Sequence, residues 1–165
     1  MGGTAQEFYE QGIRVSMEQW TEISADSIQR YIESENTPIA PNDYMYNHDP
    51  ASDIPVKFSS DSEKQFEQII TQKWLSNFPI SVEAFAEYRR TRYPKIYPKA
   101  ASSNTNIDVT KGQIITRLPF VTGEYSAQPE KVEEAILLLG DGAEDLENVP
   151  LWWDVNYNGD IAPKF

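Results

Sequence analysis

The chain has 165 residues, 26 of them acidic and 14 basic, for a formal net charge of −12. That balance excludes a general nucleic-acid binder, which needs a basic face for phosphates, and electrostatic docking onto anionic lipid. Cys is absent, which excludes disulfides, thiolate metal sites and cysteine nucleophiles within this chain.

Hydrophobic content is 39% and aromatic content 12%, enough apolar surface for a folded domain rather than a disordered segment. No run of about 18 apolar residues exists to span a bilayer. The opening MGGTAQEFYEQG lacks the charged start and apolar stretch of a signal peptide. Gln6 stands where a myristoylation motif wants Ser or Thr.

In chain order, residues 4–20 read as a helix. Ala5, Phe8, Tyr9, Gly12, Ile13, Ser16 and Trp20 share one face at helical spacing, and Thr4 with Glu7 fits a capping box. A shorter helix is expected over 25–34, with Ile28, Tyr31 and Ile32 inward. Residues 36–58 carry Pro38, Pro41, Pro50 and Pro55 and read as a long loop. Asp61 or Ser62 then opens a helix over 62–78 with a stripe of Phe66, Ile69, Ile70, Lys73, Trp74 and Phe78. Ser81 is placed as the cap of the next helix, whose shared face is Val82, Phe85, Ala86 and Arg89. The short link at Pro79 implies an antiparallel pair. Pro94 and Pro98 end that helix, and 99–112 read as a polar loop. IITRLPF (114–120) is the one extended segment expected. Pro129 starts a last helix over 129–139 with Val132, Ala135, Ile136 and Leu139 inward, stopped by Gly140 and Gly142. No internal repeat has a fixed period.

AFAEYRRTRYP (84–94) concentrates cations beside tyrosines in an otherwise acidic chain. Arg89, Arg90, Arg92, Lys95 and Lys99 lie within eleven residues at a helix C-terminus. Cations there complement the helix dipole and bond the last carbonyls, and Arg stacks on Tyr88, Tyr93 or Tyr97. This structural reading is preferred over an anion site or a partner-docking patch.

Other chemistry is weaker. Any two of 26 acids can be paired on paper as a glycosidase couple. His48, the one histidine, sits in the Pro-rich loop and reads as a loop residue rather than a triad base. Asp154, Asn156 and Asn158 supply the first half of a calcium loop. Phe165 stands where the bidentate Glu belongs, so the segment reads first as an Asx/Gly turn. Trp152 and Trp153 face opposite ways if the segment is extended. An exposed Trp153, or Tyr97, is a candidate platform for the apolar face of a sugar; packing of both tryptophans against the helix pairs is the favoured reading.

Four blocks in order, GGTAQEFYEQGIRVSMEQW, FEQIITQKWLSNFPISVEAFAEYRRTRYPKIYP, ITRLPFVTGEYSAQPEKVEEAI and LWWD, resemble the C-terminal part of SusD/RagB-like outer-membrane nutrient-binding lipoproteins. The resemblance covers nearly all of residues 2–154. It implies a mainly α fold of antiparallel, tetratricopeptide-like helix pairs with long loops and little β. The 165 residues then form a single unit whose N-terminal complement lies outside this chain. It also implies a non-catalytic, cofactor-free protein at the cell surface that binds oligosaccharide, or in some members peptide. Such a protein caps a SusC-like TonB-dependent transporter and is held to the membrane through a lipidated Cys absent from this chain. A scaffold or transporter-contact module carrying little ligand surface is the alternative. Tyr88, Arg89, Arg90, Tyr93 and Pro94 match the family's structural signature. Arg92 stands where that block usually has Gly, Phe85 where Trp is common, and Phe120 where Tyr is common. The helices' aromatic stripes are expected to leave apolar faces exposed.

Overall fold

The computed structural model describes residues 2–40, 49–97, 102–108, 113–140, 143–151 and 153–154. His48, Lys99, Gly142, Trp152, Asn156 and Asn158 lie outside them. The described residues form six helices and no strand: α1 (Ala5–Trp20), α2 (Ala25–Ile32), α3 (Ser62–Ser76), α4 (Ser81–Thr91), α5 (Thr122–Ala127) and α6 (Pro129–Leu137). None is long and apolar enough to cross a membrane. The chain divides into two compact units. The first comprises Met1–Tyr88 with Arg92–Ile96, and the second Arg89–Thr91 with Tyr97–Phe165.

In the first unit, α1 begins at the expected capping box. The Glu7 amide donates to Thr4 Oγ1 and the Thr4 amide to Glu7 Oε2, so two otherwise orphaned donors are satisfied reciprocally. Ser24 and Asp61 cap α2 and α3 with one side-chain bond each, accepting from the Ser27 and Glu63 amides. Tyr9 and Ile13 of α1 meet Ile28 and Ile32 of α2 in the core, with Met17, Tyr31, Val56 and Phe58 around them. Tyr9 also closes the loop onto the helices. Its hydroxyl donates to Val56 O at 2.6 Å and its ring lies 4.9 Å from that of Phe58. Burial pushes the Tyr9 phenol well above its ordinary pKa, with Tyr31 and Glu10 adding to it.

The stripe expected on α3 is not its buried face. Ile70 is buried, but Ile69, Trp74 and Phe78 are exposed, Phe78 by 90%. Glu67 and Gln68 are buried instead, because the neighbouring Pro-rich loop has no regular backbone partner and must bond elsewhere. Gln68, 1% exposed, donates to Pro55 O and Lys57 O at 2.8 Å each and accepts from the Ser59 amide at 2.9 Å. Glu67 accepts from Ser52 Oγ at 2.5 Å and pairs with Lys95 at 3.3 Å.

α3 and α4 form the expected antiparallel hairpin, and their contacts nest around the turn. Lys73 pairs with Glu87 and lies 3.8 Å from Glu83. Further from the turn, Phe66 meets Tyr93 edge to face at 5.6 Å. Two expectations for α4 are corrected. Its N-cap is Ile80, with no side-chain cap, and Ser81 is the first helical residue. Its buried residues are Ala84, Glu87 and Thr91, spaced i, i+3, i+7, while Val82 and Phe85 are exposed. The buried Glu87, neutralised by Lys73, sets the rotation of the helix rather than the apolar pair.

In the second unit, α5 forms where the sequence pattern marks no helix. It abuts α6 through Gln128, which ends one helix and precedes Pro129 of the next. The 114–120 segment forms no strand. The Thr116 amide donates to Glu147 O at 2.8 Å, and its hydroxyl lies 2.9 Å from Glu147 O and 2.8 Å from Val149 O. Two loops are thus tied by a fully buried threonine.

Gln68→Leu keeps the volume at this site but strips three bonds from the loop at 55–59. It should lower the unfolding free energy by about 3 kcal/mol and speed amide exchange at Ser59. Urea denaturation with exchange mass spectrometry checks both, and a loss under about 1 kcal/mol would show that the loop does not depend on this side chain.

Candidate functional site

The residues singled out at 88–94 surround the end of α4. Tyr93 and Pro94 are buried, Tyr88 and Arg89 half-buried, and Arg90 exposed. Burial raises the phenol pKa of both Tyr88 and Tyr93; nearby Arg92 partly offsets it at Tyr88, and Glu67 and Glu63 add to it at Tyr93. Arg92 is the C-cap, in the left-handed region at φ 60°, and its amide donates to Tyr88 O at 2.7 Å. This conformation costs a non-glycine residue about 1 kcal/mol. It explains why the resemblance places Gly at this position.

Arg89 belongs to the second unit. Its guanidinium donates to Thr116 O, and its central carbon stands 5.1 Å from the Trp153 ring centroid. Trp153 is half-buried, with a cation seated against its ring. Tyr97 is also half-buried. Asp154 is buried and its amide donates to Leu151 O at 2.8 Å. Its calcium-loop partners Asn156 and Asn158 fall outside the described residues. Among the described residues no group of three or more His, Asp or Glu side chains is placed to hold a metal ion.

Sequence reasoning missed a polar cluster centred on Asp145. Arg117 pairs with Asp145 at 2.5 Å, both side chains being 7% exposed. The Phe120 amide and the Tyr125 hydroxyl donate to the other carboxylate oxygen at 2.8 and 2.7 Å. Desolvation pushes the Asp145 carboxyl up. The bonds from Tyr125, Arg117 and the Phe120 amide, with the Arg117 charge, outweigh it and hold the group below the ordinary carboxylate range. Beside it, a bond from Asn106 at 2.8 Å holds Glu147 low as well. No signal in the sequence marks Asp145, one acid among 26.

The first unit also presents an open groove of about 860 Å³ between α1 and α3, lined chiefly by apolar and aromatic side chains. It contains none of the residues singled out at 84–94.

Helix hairpins joined by long, side-chain-pinned loops, with broad apolar surface left open, define a mainly α scaffold of helix pairs. The chain belongs to the SusD-like family, described as Susd and RagB outer membrane lipoprotein, whose pattern it matches over residues 1–154. Among solved structures it is similar to a chitin-binding SusD homologue from Flavobacterium johnsoniae, at 35% identity and TM-score 0.80, covering 99% of this chain and 33% of that one. A SusD homologue from Bacteroides uniformis is 38% identical with TM-score 0.78, over 92% of this chain and 32% of that one. One from Bacteroides ovatus is 36% identical with TM-score 0.79, over 93% and 33%. The chain therefore spans about a third of the length of these relatives. No curated protein matches it.

Arg89→Ala should destabilise the second unit by about 2 kcal/mol through loss of a charge-assisted bond and the Trp153 contact. Arg90→Ala, at an exposed position, should stay within about 0.5 kcal/mol of wild type. Equal melting temperatures for the two variants would refute the assignment.

Asp145, with its folded pKa depressed, contributes stability that is present above the ordinary carboxylate value of about 4 and is lost as pH falls through the folded value. Urea midpoints measured from pH 7 to pH 2.5 should therefore fall more steeply for wild type than for Asp145→Asn, which should be the weaker of the two at pH 7. Parallel profiles would rule out the linkage.

Proposed function

We propose that this chain is part of a non-catalytic glycan-binding protein at the outer-membrane surface, serving a TonB-dependent, SusC-like transporter. One observation carries the reading: a chitin-binding member of the same family is similar to 99% of the chain at 35% identity. The ligand class is oligosaccharide, and chito-oligosaccharides are the first probe. Trp153 and Tyr97 remain the proposed stacking residues. Attachment to the membrane is through a lipid anchor carried elsewhere in the whole protein, and the 165 residues act as one part of its C-terminal region.

A second reading, a scaffold or transporter-contact module, is favoured by the Trp153 ring, which is already occupied by Arg89. Affinity electrophoresis through gels carrying soluble chitin derivatives, xylan or starch separates the readings. Retarded migration in at least one gel, reduced in Trp153→Ala, is the expected result. Unretarded migration in all gels together with co-purification of the transporter would favour the scaffold. Release of new reducing ends would overturn the non-catalytic assignment.

A further inference from the structure

We infer that a small pocket in the first unit, between the 36–38 and 54–56 stretches of the loop and α3, receives the acetamido group of an N-acetylated hexose. The inference rests on the glycan-binding reading above and adds which group of the sugar is held, and where.

The pocket is preformed and small. Its volume is about 250 Å³, below the range of about 300–1,000 Å³ usual for drug-sized ligands. It has room for one compact group and not for an extended chain. The two loop stretches are tied to each other, since the Val56 amide donates to Asn36 O at 3.1 Å. They are also tied to the helices. Gln68 donates to Pro55 O at 2.8 Å and the Tyr9 hydroxyl to Val56 O at 2.6 Å. Pro38 and Pro55 line the pocket, and their rings fix φ at both stretches.

Ile54 and Val56 of the loop, Leu75 of α3 and the Tyr9 and Tyr31 side chains give the pocket its apolar walls. Beside them stand polar side chains with bonding capacity to spare. Asn36, Thr37 and Thr71 line the pocket, and none makes a side-chain bond with any described residue. Thr71 is half-buried on α3. Its hydroxyl does not bond back to a carbonyl one turn earlier, as a helical Thr commonly does. Gln72 donates to the Tyr31 hydroxyl at 3.0 Å, which leaves its second amide hydrogen for another acceptor. Gln68, by contrast, is spent on three bonds to the loop.

This mixture selects the occupant. An anion finds no Lys or Arg among the lining residues. A sugar bearing hydroxyls alone would bury some of them against Ile54, Val56 or Leu75, each at the cost of its desolvation. A purely apolar group would leave Thr71 and Gln72 without partners. An acetamido group matches both halves of the lining. Its methyl covers apolar wall, its carbonyl suits the Thr71 hydroxyl or the Gln72 amide, and its N–H suits the Asn36 side-chain oxygen.

The test uses the 165-residue chain and three probes: methyl N-acetyl-β-glucosaminide, methyl β-glucoside and N-acetylglycine methylamide. Saturation-transfer NMR reads which probe protons touch the protein. The N-acetylated sugar should receive saturation most strongly at its acetyl methyl, and the glucoside should bind at least about fivefold more weakly. Thr71→Val and Asn36→Ala should each weaken binding of the N-acetylated sugar by about fivefold. Both should keep the wild-type melting temperature, since neither side chain bonds the rest of the chain. Equal saturation of the two sugars, saturation of neither, or undiminished binding in both variants overturns the inference. So does binding lost in Trp153→Ala but retained in both pocket variants, which would assign the sugar to the second unit. N-acetylglycine methylamide binding as tightly as the sugar would assign the pocket to peptide and overturn it as well. The gels separate this failure from failure of the glycan reading. Wild type and Thr71→Val retarded alike by a chitin derivative would refute the pocket and leave the reading standing. A chain that no polymer retards would count against the reading, and the NMR outcome would still decide the pocket.

Discussion

Long irregular stretches of this chain have backbone groups that no helix satisfies, and the fold depends on side chains that satisfy them from within. A buried amide or carbonyl without a partner costs as much as a lost hydrogen bond, so each such loop needs an internal anchor. Gln68 is that anchor in the first unit, bonding the backbone at three loop positions. Thr116 is its counterpart in the second, joining its own segment to the carbonyls of Glu147 and Val149. These polar residues displace apolar ones from the interior, and the displaced residues appear at the surface.

The few cations serve the same end. Lys73 meets the buried Glu87, Lys95 the buried Glu67, and Arg117 the buried Asp145. A buried carboxylate left without a partner is strongly destabilising, whereas a paired and hydrogen-bonded one is tolerated. In a chain of net charge −12, these three basic side chains are committed to internal acids. In the cluster at 89–95 only Lys95 is seen in such a pair, and its neighbours serve the fold differently. Arg89 bonds a carbonyl and stacks on Trp153, Arg92 caps the helix, and Lys95 pairs with Glu67.

The surface completes the picture. Exposed aromatic and aliphatic side chains on α1 and α3 line an open groove instead of a closed cleft. Several polar side chains along it are bonded within the protein, so what the groove offers to solvent is chiefly apolar area.

Local signals were legible in the residues. Thr4 and Glu7 announced the start of α1, Pro79 the α3–α4 turn, and the order of four blocks the SusD/RagB resemblance, because capping, proline chemistry and family pattern act over a few neighbouring positions. The glycine usual at position 92 also had a local cause, a left-handed cap that Arg92 here adopts at φ 60°. Which face of α3 and α4 turns inward was decided only by tertiary structure. Periodicity nominates the apolar stripe, but the Pro-rich loop bonds Gln68 and Lys73 neutralises Glu87, so the helices bury polar side chains and expose Ile69, Trp74, Val82 and Phe85. Thr116, Asp145 and the Arg117 pair were equally hidden from linear reading, since their partners lie about 30 residues away and a lone Asp or Thr carries no mark of the loop it will hold.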